Sequence, residues 1–314
     1  GCGVGEIVGM CDPKFSEVRD ILAASIQSGA DTGVSFALTI GGEMVVDLWG
    51  GHLDSTASAP WQGDTLVNVY STTKTMSFLC ALVLADRGLL DFDRNVADYW
   101  PEFAQNGKAQ VKVWHLMNHA AGLSGMDQMI SPEEMYDWDM IVTLLAAQAP
   151  WWEPGSASGY HAITQGYLIG EVVRRITGKT LGTFFHEDIA RPLGADFFIG
   201  VPPSEFHRIG HLIPVGEGDA PQTDDAESIA ARTFRSPFSS AQNSWSEGWR
   251  RAELPAVNGH GNARSVAKLQ APLACKGSAF GVDLLSVETA NSVMTPRISG
   301  TDLVLGVPLS FGLG

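Results

Sequence analysis

The chain has 314 residues, 45% of them hydrophobic, and a formal net charge of −15. That apolar content suffices for a large core and one or two domains. The acidic balance opposes nucleic acid and anionic membrane as partners, because a polyanion needs clustered Lys and Arg, and it reads most simply as a source of solubility. The longest strongly apolar run, Phe78 to Ala85, is far short of the roughly 20 residues that span a bilayer.

No basic region followed by an apolar core opens the chain, so no signal peptide is visible. There is also no initiator methionine, which leaves processing of the N-terminus open. Cys2, Cys11, Cys80 and Cys275 show no Cys-x-x-Cys spacing, so neither a zinc site nor a dithiol motif is indicated. Cys80 lies inside the apolar run and reads as a small core residue. A reducing, cytoplasmic location is the expectation.

In chain order, Phe15 to Ser28 carries helical periodicity, with Phe15, Val18, Ile21, Leu22 and Ile26 on one side. Val34–Ile40 and Met44–Trp49 flank Gly41-Gly42, a hairpin signal. A third short strand is expected through Thr65–Val69, leading to a turn at Ser71 and a buried helix from Met76. Residues 76–200 read mainly as helix: Val111–Asn118, Met135–Gln148, Ile163–Thr177 closed by Gly178, and Leu181–Ala190 stopped by Pro192. Between Pro214 and Asn258 the composition turns to Gly, Pro, Ser, Asp and Gln, with Trp245 and Trp249 embedded, and reads as a lid. Helices are expected again over Ala263–Leu273 and Val287–Val293.

The first candidate for chemistry is Ser71-Thr72-Thr73-Lys74 at the head of the buried helix. Residues three apart share a helix face, so the Lys74 amine can reach the Ser71 hydroxyl. A serine is a weak nucleophile until a base takes its proton, and a desolvated lysine can be that base. Alone, the pattern more often describes a helix N-cap followed by a solvated lysine. The second candidate is Tyr160, delivered by the turn Pro154-Gly155 to Gly159 at the head of a helix. A phenol titrates near pH 10, so as a base it needs a cation such as Lys74 beside it; otherwise it is an aromatic buried beneath a loop. His119 and His161 have no acidic partner at a recognisable spacing and read as loop-ordering residues. His115 and His119 stand at i, i+4, but no Glu follows His115, so the metalloprotease pattern fails. No Gly-x-Ser-x-Gly occurs, which opposes an α/β-hydrolase elbow.

Taken together, these segments resemble the serine β-lactamase and penicillin-recognising superfamily, and within it the class C-like carboxylesterases, the family VIII esterases. The resemblance rests on Asp47-Leu48-Trp49-Gly50-Gly51, Ser71-Thr72-Thr73-Lys74, Asp91-Phe92-Asp93 and Tyr99-Trp100-Pro101-Glu102-Phe103. It continues through His115 to Leu123, Pro154-Gly155 with Tyr160-His161-Ala162, Arg191-Pro192-Leu193-Gly194 and Asn258 to Arg264.

The resemblance implies an α+β, β-lactamase/transpeptidase-like fold: an antiparallel sheet flanked by helices, with an inserted helical lobe. Residues 1–74 and 256–314 would form the sheet-containing lobe, 75–213 the helical lobe and 214–255 a loop or lid near the site. It implies Ser71 as acylated nucleophile, Lys74 as its proton acceptor, and Tyr160 as the second member of the base pair. The Ser71 backbone N–H would be one oxyanion donor. Trp152, His161, Trp245 and Trp249 are the expected substrate-contacting residues, with Trp151 a further candidate wall. The implied activity is hydrolysis of small carboxylic esters, with no metal and no organic cofactor.

Two departures bear on this. The β-lactamase pattern has Asn two residues after the tyrosine, where Ala162 stands here, and this favours an esterase. The family's third element, a strand with Lys-Thr-Gly or a variant, would follow Phe311-Gly312-Leu313-Gly314, where the chain stops. A β-lactamase, D-amino-acid peptidase or amide hydrolase on the same serine is the rival among enzymes. A non-catalytic or incomplete ligand-binding homologue is the rival outside them.

Overall fold

Gly41 and Gly42 both have positive φ, 60° and 80°, the backbone that a two-residue turn needs to match the twist of its strands. They join β2 (Gly33–Ile40) to β3 (Glu43–Gly51), which pair in antiparallel register from Gly33 opposite Gly51 to Ile40 opposite Glu43. The computed structural model of the chain describes residues 6–214, 225–293 and 295–313. A strand unmarked in the sequence, β1 (Ile7–Cys11), adds to the other edge of β3 and gives the order β1-β3-β2.

The sheet covers its core with one helix. Along β3, Val46 and Leu48 are fully buried, and with Ile7 they meet Ile26, Val18 and Leu22 of α1 (Ser16–Gln27). The helix Ala263–Ala274 packs against β2. Arg264, near its start, reaches the Asp47 carboxylate of β3 at 2.6 Å.

Past the sheet, the expected strand over Thr65–Val69 is reduced to β4 (Val67–Asn68), which pairs with Gly261 and His260. The chain leaves the ladder early because Tyr70–Thr72 already turn as a 3₁₀ helix. That turn runs into α2 (Thr73–Asp86), whose buried residues lie on every side: Met76, Leu79, Cys80, Leu82, Val83 and Leu84. A helix apolar all round belongs in the middle of a core. Here it is wrapped by the helices Thr164–Thr177 and Leu181–Phe185.

Some expected helices are broken. Met135–Gln148 divides into Pro132–Met135 and Trp138–Ala147, because Asp137 stops to cap the second piece, accepting from the Met140 N–H. Leu181–Ala190 is α-helical only to Phe185 and then widens into a π turn over His186–Ala190. The helix begun at Val111 is only Val113–Met117. His119 lies beyond it at φ 62°, so His115 and His119 do not share a helix face.

Of the lid region, residues 215–224 lie outside the described residues. The remainder contains the helices Ile229–Arg235 and Glu247–Arg251 and a 3₁₀ turn over Ala241–Trp245. No helix among the described residues is long and apolar enough to cross a membrane.

Candidate active site

Ser71 sits on the 3₁₀ turn just ahead of α2 and is exposed, while Lys74, in the first turn of α2, is buried. Their separation of three residues brings Lys74 Nζ to 3.3 Å from Ser71 Oγ. The turn is held in an uncommon conformation. Tyr70, immediately before the serine, has φ 45°, a backbone that costs a bulky L-residue of order 1 kcal/mol or more. Its ring packs near Trp249, 6.0 Å between centroids, and its hydroxyl donates to the Ser240 carbonyl at 3.3 Å.

Two carbonyls complete the lysine's surroundings: Ala162 O at 2.7 Å and Ala256 O at 3.1 Å. The second is within reach because residue 166 is glycine. A Cβ there would stand 2.4 Å from the Ala256 nitrogen, so any side chain would push the 255–256 segment away from the helix. Burial disfavours the ammonium and lowers the Lys74 pKa to about 7. As a neutral amine the lysine has two N–H groups, which the two carbonyls take. Its lone pair is left for its third neighbour, the Ser71 hydroxyl.

Tyr160 arrives from the other side. Its phenol oxygen is 2.7 Å from Ser71 Oγ, and Lys74 Nζ stands 4.9 Å from its ring centroid. Burial raises the phenol's pKa and the charge of Asp302 adds to this, while the hydrogen bond with Ser71 opposes it. So Lys74 and Tyr160, distant from each other in sequence, are brought together on the Ser71 hydroxyl.

The two histidines have other tasks. His161 Nδ1 lies 2.5 Å from the Gly159 carbonyl, and its Nε2 accepts the Leu123 N–H at 3.2 Å. His119 Nδ1 accepts the His161 N–H at 2.9 Å. The lone pairs that a base would use are occupied. Burial pushes the His161 pKa down to about 4 and that of His119 well below its usual value. Both act as neutral struts for the loop that carries Tyr160.

The expected substrate walls separate into two groups. Trp249 is completely buried, its indole N–H donating to Asn68 Oδ1 at 3.0 Å, and His161 is completely buried as described. Neither offers a surface to a ligand, which corrects the expectation for both. Trp152 is half-buried, donating to the Ala157 carbonyl at 2.9 Å and lying near-perpendicular to the His161 ring. It braces the Tyr160 loop from outside. Trp245 is part exposed and stacks on His211 at 4.7 Å. Trp151 is half-buried under the Arg232 guanidinium at 4.1 Å. Among the described residues no group of three His, Cys, Asp or Glu side chains is placed to hold a metal ion.

The sequence had not marked the two backbone carbonyls or Asp302. A carbonyl carries no residue signature, and Asp302 lies 142 positions from Tyr160, whose backbone N–H it accepts at 3.0 Å.

An exposed serine ahead of a buried helix, a lysine one turn on and a tyrosine from a second segment define a serine-nucleophile enzyme on an α+β fold. The chain belongs to the beta-lactamase family, whose model matches residues 18–314, and it is a serine hydrolase of that family. It is 34% identical over 319 residues to the esterase/beta-lactamase LipL of Mycobacterium tuberculosis, covering 98% of this chain and 74% of that protein. A solved family VIII carboxylesterase superimposes with TM-score 0.91 at 43% identity, covering 98% of this chain and 82% of the other. A penicillin-binding protein homologue from Caulobacter crescentus gives TM-score 0.90 at 41% identity over the same shares.

Proposed function

We propose that the protein hydrolyses small carboxylic esters through an acyl-enzyme on Ser71, with Lys74 and Tyr160 moving the protons. The observation that carries this reading is the state of Lys74: a buried amine with a pKa near 7 whose two N–H groups are engaged by Ala162 O and Ala256 O, 3.3 Å from Ser71 Oγ.

In the first half-reaction the Lys74 lone pair takes the Ser71 proton as Oγ attacks the ester carbonyl carbon. The developing oxyanion is met by the Ser71 backbone N–H at the mouth of α2, where the helix end favours negative charge. Collapse breaks the bond to the alcohol oxygen, which receives a proton from the Tyr160 phenol; Lys74 restores the phenol. In the second half-reaction the same pair takes a proton from water, the hydroxide adds to the acyl carbon, and Ser71 leaves with that proton. The half-buried Trp152 and the part-exposed Trp245 remain candidate walls for the apolar part of the ester.

The names of the relatives support an ester substrate: one is an esterase/beta-lactamase and another a family VIII carboxylesterase. Mass spectrometry after exposure to a fluorophosphonate probe tests the assignment. The expected result is one adduct on Ser71 in the wild type and none in a folded Ser71→Ala variant. Absence of the adduct in folded wild type, or the same adduct in both proteins, overturns it.

A further inference from the structure

Asp302 is completely buried, and its carboxylate is engaged by backbone amides and a hydroxyl. One oxygen, Oδ1, accepts three backbone N–H groups: Tyr160 at 3.0 Å, Val304 at 3.0 Å and Leu305 at 2.9 Å. The other, Oδ2, accepts the Ser158 hydroxyl at 3.1 Å. The backbone of the same loop adds a further tie, since the Leu303 N–H donates to the Ser158 carbonyl at 2.9 Å. The loop itself is tight: Asp302 N–H donates to Val307 O, and Gly306 N–H to Asp302 O. It joins the paired strands Ile298–Thr301 and Pro308–Phe311. One acidic side chain thus rivets that hairpin to the short segment that ends in Tyr160.

We propose that Asp302 is a positioning residue for Tyr160, fixing the tyrosine's backbone so that the phenol meets Ser71 Oγ, and holding the phenol in its protonated form by its negative charge. The inference rests on the reading of Tyr160 as the proton donor to the leaving group. A carboxylate accepts only, so it suits a position where every neighbour is a donor. An anion near a phenol disfavours the phenolate, which keeps a proton available for transfer. The burial-raised pKa of Tyr160, to which Asp302 contributes, agrees in direction.

The other titratable groups facing Tyr160 do not duplicate this role. Lys74, from α2, lies under its ring and when charged pulls the phenol the opposite way. His119, from the loop after Val113–Met117, packs tilted against it at 5.0 Å between ring centroids and is held neutral by burial; His161, next in the chain, is neutral for the same reason. Among these charged groups Asp302 is therefore the one that opposes ionisation of the phenol, in addition to burial, which is the larger cause.

The test uses Asp302→Asn and Asp302→Ala, each also in a Tyr160→Phe background. The Asn variant keeps every contact, because its amide oxygen accepts the three backbone N–H groups and its amide N–H donates to Ser158 Oγ. It removes only the charge. Ionisation of Tyr160 is read from the ultraviolet absorbance of tyrosinate, as the difference between each protein and its Tyr160→Phe counterpart. The expected midpoint in Asp302→Asn is lower than in wild type, because the Asp302 charge adds to burial in disfavouring the phenolate. The alkaline limb of kcat should move the same way. Asp302→Ala should lower kcat by about 10–100-fold through misplacement, with KM little changed, and this loss should vanish in the Tyr160→Phe background. An unmoved tyrosinate midpoint in folded Asp302→Asn, or equal losses with and without the phenol, overturns the inference. Because the absorbance titration needs no turnover, such a failure is separable from failure of the serine assignment, which the fluorophosphonate adduct reports.

Discussion

The Ser71 hydroxyl and the Tyr160 phenol stand 2.7 Å apart although 89 residues separate them in the chain. The serine is placed by the turn into α2, the tyrosine by a loop held by His119, His161 and Asp302. Lys74 approaches the same oxygen from beneath. Two groups, Lys74 and Tyr160, thus converge on one exposed oxygen, and under the proposed mechanism their proton affinities set how the enzyme responds to change.

As the proposed base, Lys74 can work only when neutral, so activity should rise as pH climbs through about 7, the value to which burial lowers it. Below that the amine is protonated and the rate falls. No separate limb from His119 or His161 should appear near neutrality, since burial lowers the pKa of both and keeps them uncharged there. Lys74→Ala should lose at least about 10² in acylation rate. Lys74→Arg should lose as much, because a guanidinium stays protonated. Rapid-mixing measurement of the acyl-enzyme burst checks both variants; wild-type acylation in either moves the base role to Tyr160.

Tyr160→Phe keeps the ring over Lys74 and beside His119 and removes only the hydroxyl. Proton donation matters more for poor leaving groups than for good ones. The loss in kcat should therefore be about 10²–10³ for an alkyl ester and much smaller for a p-nitrophenyl ester. Comparing the two substrates on the variant and wild type checks this. Equal losses would restrict the phenol to a packing role.

Ala162 gives its carbonyl to Lys74 and presents only a methyl group. A β-lactam with a side-chain amide finds no hydrogen-bond partner there. Ala162→Asn should raise turnover of a chromogenic cephalosporin relative to a short p-nitrophenyl ester, leaving the carbonyl contact in place. The ratio of the two rates is the measurement, and an unchanged ratio would remove residue 162 from the account of specificity.

Trp249 is a stability residue. Trp249→Ala should cost about 3–5 kcal/mol, the usual range for a large buried aromatic. Trp249→Phe should cost about 1–3 kcal/mol, because Asn68 Oδ1 is left unpaired in the interior. Denaturant unfolding with unchanged slope checks both. A ligand-lining tryptophan would instead change KM with stability intact.

The hairpin, the buried α2 and the Thr164–Thr177 helix were legible because each is governed by a local rule: a glycine pair with positive φ, a run apolar on all sides, a glycine stop. Ser71 and Lys74 were legible for the same reason, since three residues of helix fix their distance. What could not be read has non-local causes. β1 is Ile-Val-Gly-Met-Cys with three exposed members, too mixed to signal a strand until β3 offers it an edge. Trp249 lies in a polar stretch that suggested a lid, yet its indole fills the core behind the nucleophile turn. The Ala162 and Ala256 carbonyls and Asp302 are defined by tertiary approach alone. No spacing could bring them to Lys74 and Tyr160.

The pair of carbonyls on Lys74 has one more consequence. A neutral amine beside an acylated serine is itself an acyl acceptor, and transfer of the acyl group to nitrogen would leave a stable amide and a dead enzyme. With both N–H groups tethered to Ala162 and Ala256, the remaining lone pair would face the serine oxygen 3.3 Å away in preference to the carbon bound to it. In the proposed acyl-enzyme the tethers would therefore guard the catalyst against its own intermediate and leave the acyl carbon to an incoming nucleophile.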